Sequence, residues 1–213
     1  PATIPIEMVG DVADFFKVDV PLAVDTETDF LGGKLLAISM AGKEGEALVV
    51  EAPQSVALAA PLVVGHNLKY DMKALRQAGL DLYEGYKLAD TMIASFLVGE
   101  DRLGLKPLAL KRLGIQMATL GPLLKSTQDE MTTEFISGLS GEGLSKSMTK
   151  SLAAVKAADD SAAALQRRHA LRSVVGNPPE ASISDVQERR HGEFVSYSAA
   201  DADVTLRLWH ILE

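Results

Sequence analysis

The triplet Leu22-Ala23-Val24 runs without a break into Asp25-Thr26-Glu27-Thr28. A short apolar run of this kind reads as a buried strand, and residues two apart on a strand share a face, so both carboxylates point to one surface. Such a strand has to end where acids are tolerated together. In α/β sheets that is the carboxyl end of the strands, where ligands collect. Taken alone the signal is weak, because Asp-x-Glu arises by chance and a solvated strand end has the same sequence.

Turn signals divide the first half of the chain into further elements. Residues 34–40 follow Gly32-Gly33, and residues 47–50 follow Gly42-Lys43-Glu44-Gly45, which with the first strand gives an antiparallel meander. Residues 61–64 form a fourth strand that passes through Gly65-His66-Asn67 into a helix with Met72, Leu75 and Ala78 on one face and Gly79 as its stop. Leu88-Ala89-Asp90 reads as a short buried strand, with Asp90 or Thr91 able to cap a helix over 92–98. The apolar runs 57–64 and 92–98 read as buried, and a further helix over 105–113 ends at Gly114. A meander followed by strand–helix–strand–helix predicts an α/β domain with a mixed sheet. Residues 125–190 fit less well. They are Ser- and Gly-rich at first, then Ala-rich and helical, broken at Gly176-Asn177-Pro178-Pro179, and finally polar. They read as a helical and loop insertion within a single domain spanning 1–213.

Composition narrows the function classes. The 213 residues, 47% of them hydrophobic, suffice for one sizeable core, and no apolar run is long enough to span a bilayer. No basic segment leads into an apolar stretch at the start, so no signal peptide is expected. Both ends read as cut from a longer protein or processed, because the chain opens on Pro1 and its last residues are still helical in pattern. The absence of cysteine excludes disulfides, iron–sulfur clusters and thiol catalysis. A net charge of −8 argues against a protein that coats DNA, since phosphate binding rests on basic surfaces. An enzyme holding divalent cations on clustered carboxylates escapes that objection.

Two more acidic features follow in order. Asp71 falls in the first turn of the helix that leaves the fourth strand, where the helix dipole favours its ionised form, and Asn67 is placed to cap that helix. Tyr197 and Asp201 are four apart on the C-terminal helix and share a face. Each alone would be an ordinary helix feature.

Together, Asp25-x-Glu27, Asn67-x-x-Tyr70-Asp71 and Tyr197-x-x-x-Asp201 resemble the three exonuclease motifs of the DEDDy branch of DnaQ-like exonucleases. The likeness is greatest to the 3′→5′ proofreading domain of family A, polymerase I-like DNA polymerases. It extends to ADTMIASF (89–96), LKPLALKRLG (105–114) and YSAADADVTLRL (197–208). It covers about 22–124 and 194–212, leaving 125–190 as a poor match. The resemblance implies a ribonuclease H-like mixed five-stranded sheet flanked by helices. It also implies two Mg²⁺ or Mn²⁺ ions per site, held by Asp25, Glu27, Asp71 and Asp201, with Tyr197 orienting the attacking water. Carboxylates suit such hard cations, and a pair of ions roughly 3.5–4 Å apart suits phosphodiester hydrolysis. The implied activity removes nucleotides from DNA 3′ ends as 5′-monophosphates.

Thr26, Leu31, His66, Asn67 and Phe135 are the candidate substrate contacts that go with this resemblance. Leu31 is an apolar wedge against the terminal base or a turn-flanking core residue, and Phe135 a stacking surface or an ordinary buried aromatic. None of the histidines has metal-ligand spacing. The expected partners are single-stranded DNA 3′ ends and a polymerase domain following in the same chain, with no membrane and a monomeric, cytoplasmic, nucleoid-associated protein. A DEDDy exoribonuclease or repair exonuclease has the same site residues and stands as the alternative, as does a catalytically dead module, which would have lost carboxylates.

Overall fold

A computed structural model describes residues 7–8, 19–29, 33–51, 58, 60–77, 79–83, 85–138, 153 and 180–213. Among these residues six strands form one sheet: β1 (Glu7–Met8), β2 (Leu22–Thr28), β3 (Leu35–Lys43), β4 (Glu46–Glu51), β5 (Val63–Gly65) and β6 (Leu88–Asp90), in the order β1-β4-β3-β2-β5-β6. β2, β3 and β4 are the antiparallel meander, and β5 and β6 extend it in parallel beyond β2. The helices are α1 (Leu68–Gln77), α2 (Thr91–Leu97), α3 (Leu105–Leu108), α4 (Leu120–Gly138), α5 (Ile183–Arg189) and α6 (His191–Leu212). This is the expected α/β class, a mixed sheet flanked by helices consistent with a ribonuclease H-like fold. The two-residue β1, which pairs with β4, adds a sixth strand to the five expected. The helix expected over 105–113 starts as α3 and continues as a π-helical turn over Ala109–Leu113, closed by Gly114 at φ 68°.

The chain falls into two compact units, Pro1–Leu120 with Ile183–Glu213, and Gly121–Ser182. In the second, the Gln128 side chain accepts the Ala181 N–H at 2.7 Å. In the first, the Ser184 N–H donates to Asp29 Oδ1 at 3.1 Å, so α5 belongs with the sheet.

Strand alternation gives the sheet two unlike faces. Leu22, Val24, Ile38, Met40, Leu48 and Val63 pack with Leu68, Met72 and Leu75 of α1 into the main core. On the other face Ala23, Ala41 and Ala47 meet Ala199, Ala202 and Leu206 of α6. Large side chains fill the first layer. Alanine on alanine lets the α6 backbone lie close over β2, so short side chains on the two elements can reach each other. Leu108 and Ala109 then pack on Val204 and Leu208, fixing α3 along the same helix.

The turn from β5 to α1 is tightly specified. A Cβ on Gly65 would stand 2.9 Å from Leu68 Cβ, so glycine lets the helix start directly over the strand end. Asn67 follows at φ 62°, a left-handed conformation asparagine tolerates better than most residues. Four of the N–H groups at the two helix starts converge on one acceptor, the Asp90 carboxylate. It receives Asn67 N–H at 3.1 Å and Leu68 N–H at 2.9 Å from α1, and Met92 and Ile93 N–H from α2 at 2.8 and 3.3 Å. Asp90, rather than Asn67, is therefore the acceptor at the start of α1, and one side chain caps two helices.

Two expectations of burial are corrected. β6 is an edge strand with Leu88 36% exposed, and Ile93, Phe96 and Leu97 of α2 are exposed, as is Val98 just beyond it. α2 packs through its small residues, since Thr91 and Ser95 are fully buried. An apolar run of seven cannot reveal which side of the helix the fold uses.

The close seat of α6 on β2 is testable by overpacking. Ala202→Leu should lower stability by about 1–3 kcal/mol, read from denaturant unfolding, because the added isobutyl bulk has no space between helix and sheet. An unchanged midpoint would show that α6 does not rest on this alanine layer.

Candidate active site

β2 presents Asp25 and Glu27 on the alanine face, beneath α6, where Tyr197, Ser198 and Asp201 lie on one side of the helix. Oxygens of Asp25, Glu27 and Asp201 all lie within 4.8 Å of one another. Glu27 and Asp201 are buried, and Asp25 is half-buried. Ser198, fully buried, donates to Phe194 O at 3.1 Å and reaches Glu27 Oε1 at 3.5 Å. Asp201 Oδ1 is buried with no hydrogen-bond partner among the described residues.

Asp71 comes from the opposite face and is not one of the three. Thr26 points away from Glu27 along the alternation of β2, toward α1. Pairing of β2 with β5 stops at Ala23, which leaves the Thr26 N–H without a strand partner on that side. Asp71 Oδ1 takes it at 3.0 Å, together with the Thr26 hydroxyl at 2.7 Å. The next residue pair repeats the tie, Tyr70 hydrogen-bonding Thr28. The charge of Asp71 nevertheless bears directly on Asp25.

Lys106, on α3, closes the other side. Its ammonium donates to the Tyr197 hydroxyl at 3.1 Å, stands 3.5 Å from Asp201 Oδ2, and lies 4.5 Å from the centre of the Tyr197 ring. The Asp201 charge bears in turn on the Tyr197 phenol.

Burial and mutual repulsion hold these acids toward their protonated forms. Desolvation, then the charges of Asp71, Asp201 and Glu27, raise Asp25 well above the usual carboxylate range. Glu27 is pushed up to about 8, by burial first and Asp201 next, with Lys106 opposing. Burial lifts Asp71 to about 7 against the Thr26 hydrogen bonds, and raises Asp201 against Lys106 and Tyr197. The Tyr197 phenol is driven upward, so it stays a proton donor. A carboxylate whose pKa is higher folded than unfolded stabilises fully below its unfolded value, and that contribution is lost as pH rises through the folded one. With chelator present, the melting temperature should therefore fall between about pH 5 and pH 9, and Glu27→Gln should flatten the fall. A melting temperature that rises or stays level over this window would contradict the clustering.

Thr26 is the anchor for Asp71. His66 Nδ1 lies 2.8 Å from Thr91 Oγ1, and burial lowers its pKa against the Asp90 charge. Asn67 is exposed at the left-handed turn, Phe135 is half-buried on α4 in the other unit, and Leu31 lies outside the described residues. Lys106 and Ser198 were not singled out from the sequence. Lys106 lies in the family-like segment 105–114, and Ser198 beside Tyr197, but no spacing marks either.

The carboxylates fit a hard divalent cation: the donor set is all oxygen, the oxygens converge, and Asp201 Oδ1 is buried without a partner among the described residues. No helix among the described residues is long and apolar enough to cross a membrane.

The chain is similar in structure to Brucella melitensis NrnC with bound Mg²⁺, at 20% identity and TM-score 0.40, covering 93% of this chain and 88% of that one. The same protein bound to pGG gives 20% identity, TM-score 0.42, and coverage of 93% and 87%. The POL domain of Pol1 from M. smegmatis, in complex with DNA primer-template and dNTP, gives 13% identity and TM-score 0.37, covering 91% of this chain and 46% of that one. No curated protein sequence matches. The family model of the 3′-5′ exonuclease domain of A-type DNA polymerases matches residues 7–134, well over half of the chain. With that match and the converging carboxylates, the chain belongs to this family of 3′-5′ exonucleases, metal-dependent nucleases that use Mg²⁺.

Proposed function

We propose that the chain removes nucleotides one at a time from the 3′ end of short or frayed single strands, by hydrolysis with two divalent cations. The observation that carries this reading is the convergence of Asp25, Glu27 and Asp201 within 4.8 Å beside Tyr197. These three would hold the cations, with Asp71 acting from the Thr26 side. Bound there, the ions would neutralise charge developing on the phosphorus oxygens and lower the pKa of the attacking water. Tyr197 donates a hydrogen bond and, with Glu27, orients that water. Its phenol stays protonated, so it is an orienting group and not a base. Attack on phosphorus expels the 3′-oxygen of the preceding nucleotide and leaves the phosphate on the released one, a nucleoside 5′-monophosphate.

Charge bears on the substrate. With a net charge of −8, grip on a polyanion is left chiefly to the cations at its 3′ end, which favours a substrate of few phosphates threaded 3′ end first. We therefore place oligonucleotide degradation, RNA included, ahead of proofreading. The cations engage phosphate, and nothing in that chemistry separates ribose from deoxyribose. Proofreading of DNA beside a polymerase domain is the second reading, supported by the family match. Thr26, Leu31, His66, Asn67 and Phe135 remain candidates for holding the terminal nucleotide, within a single exonuclease domain in which 125–190 is an insertion.

Matched 5′-labelled DNA and RNA oligonucleotides, with Mg²⁺ and with chelator, test the reading. A ladder shortening from the 3′ end in Mg²⁺ alone is expected. Asp25→Ala should cut turnover at least about 10³-fold, and Tyr197→Phe about 10–100-fold, since it removes one orienting contact and keeps the cation ligands. Oligonucleotides that stay intact under Mg²⁺ and Mn²⁺, or a Tyr197→Phe enzyme slower than Asp25→Ala, would overturn it.

A further inference from the structure

Lys106 does more than the family chemistry requires of it, and its surroundings say what. An ammonium has only donors, so the phenol oxygen of Tyr197 must be the acceptor of their 3.1 Å contact. The single phenol proton is then left to be donated, and Asp201, one helical turn on and with its charge bearing on Tyr197, is the acid beside it. Lys106 therefore orients the phenol by occupying its oxygen, which leaves the proton free to point toward the carboxylates. The same ammonium stands 3.5 Å from Asp201 Oδ2, while Oδ1 is buried without a partner among the described residues. One carboxylate oxygen thus faces a protein cation and the other is open. Lys106 is carried by α3, which packs through Leu108 on Val204 and Leu208 of the helix that bears Tyr197 and Asp201. It is anchored to the site's own helix.

We propose that Lys106 is a built-in counter-ion and positioning residue: before a divalent cation enters, its ammonium neutralises the Asp201 side of the carboxylate cluster. On entry it yields Asp201, and it stays on Tyr197 to keep the phenol proton aimed into the site. The inference rests on the proposed two-cation hydrolysis. It separates from a plain structural tie between α3 and α6 by the sign of its effects. A tie, when cut, loosens the site and weakens cation binding and turnover together. A counter-ion, when removed, relieves repulsion of the entering cation, so binding tightens while turnover falls.

The experiment uses the whole chain at pH 8. Mn²⁺ affinity is measured by calorimetry, and turnover on a 5′-labelled oligonucleotide at saturating Mn²⁺, for the parent, Lys106→Met and Lys106→Gln. Glutamine keeps a donor for Tyr197 but carries no charge. Both variants should bind Mn²⁺ roughly 3–10-fold more tightly. Turnover should fall about 10–100-fold in Lys106→Met, and by less in Lys106→Gln, which can still hold the phenol. Mn²⁺ affinity unchanged or weaker in a folded Lys106→Gln would overturn the counter-ion role. Turnover in Lys106→Met within twofold of the parent would overturn the positioning role. If the parent binds Mn²⁺ yet cleaves neither DNA nor RNA, the nuclease reading fails, and the Mn²⁺ affinities alone decide whether Lys106 is the counter-ion.

Discussion

Three carboxylates brought within 4.8 Å in a largely buried space repel one another, and burial adds to the cost of each charge. Everything around them manages that repulsion. Lys106 supplies a positive charge from α3, Tyr197 and Ser198 supply hydrogen bonds from α6, and protons or divalent cations supply the remainder. A site of this kind stabilises the fold poorly by itself, so the surrounding structure has to hold it. The alanine layer between β2 and α6 sets how near Asp201 comes to Asp25 and Glu27. The packing of large side chains on the opposite face fixes β2 against α1.

Asp71 shows how sheet geometry sorts residues that a motif groups together. Asp25 and Glu27 share one face of β2 and Thr26 takes the other, so Asp71 meets Thr26 and acts on Asp25 from the far side of the strand. Its helix is aimed by Asp90, which gathers the N–H groups of two helix starts into one carboxylate. The position of one site acid thus depends on another acid that never faces the cluster.

Much of this was legible in the sequence because it follows from period-two and period-3.6 spacing. Strand alternation put Asp25 and Glu27 on one surface, helical spacing put Tyr197 over Asp201, and glycine turns marked the meander. The rest was hidden for physical reasons. Two residues of β1 carry no periodicity. The apolar run of α2 read as buried, but the fold seats that helix on Thr91 and Ser95 and leaves Phe96 and Leu97 to solvent. Lys106 looked like any basic residue of a short amphipathic helix. Its proximity to Asp201 depends on how α3 packs along α6, a contact separated by about ninety-five positions in the chain. The sequence marks Asp90 as the cap of one helix, and its second role needs the spatial meeting of β5 and β6.

The central claim is that Asp25, Glu27 and Asp201 together bind a divalent cation. Its most direct test is anomalous scattering from crystals of the protein grown with Mn²⁺. The account predicts a strong anomalous peak within coordination distance of all three carboxylates, lost in crystals of Asp25→Ala. Mn²⁺ at exposed acids only, or a peak between these residues that survives Asp25→Ala unchanged, would contradict it.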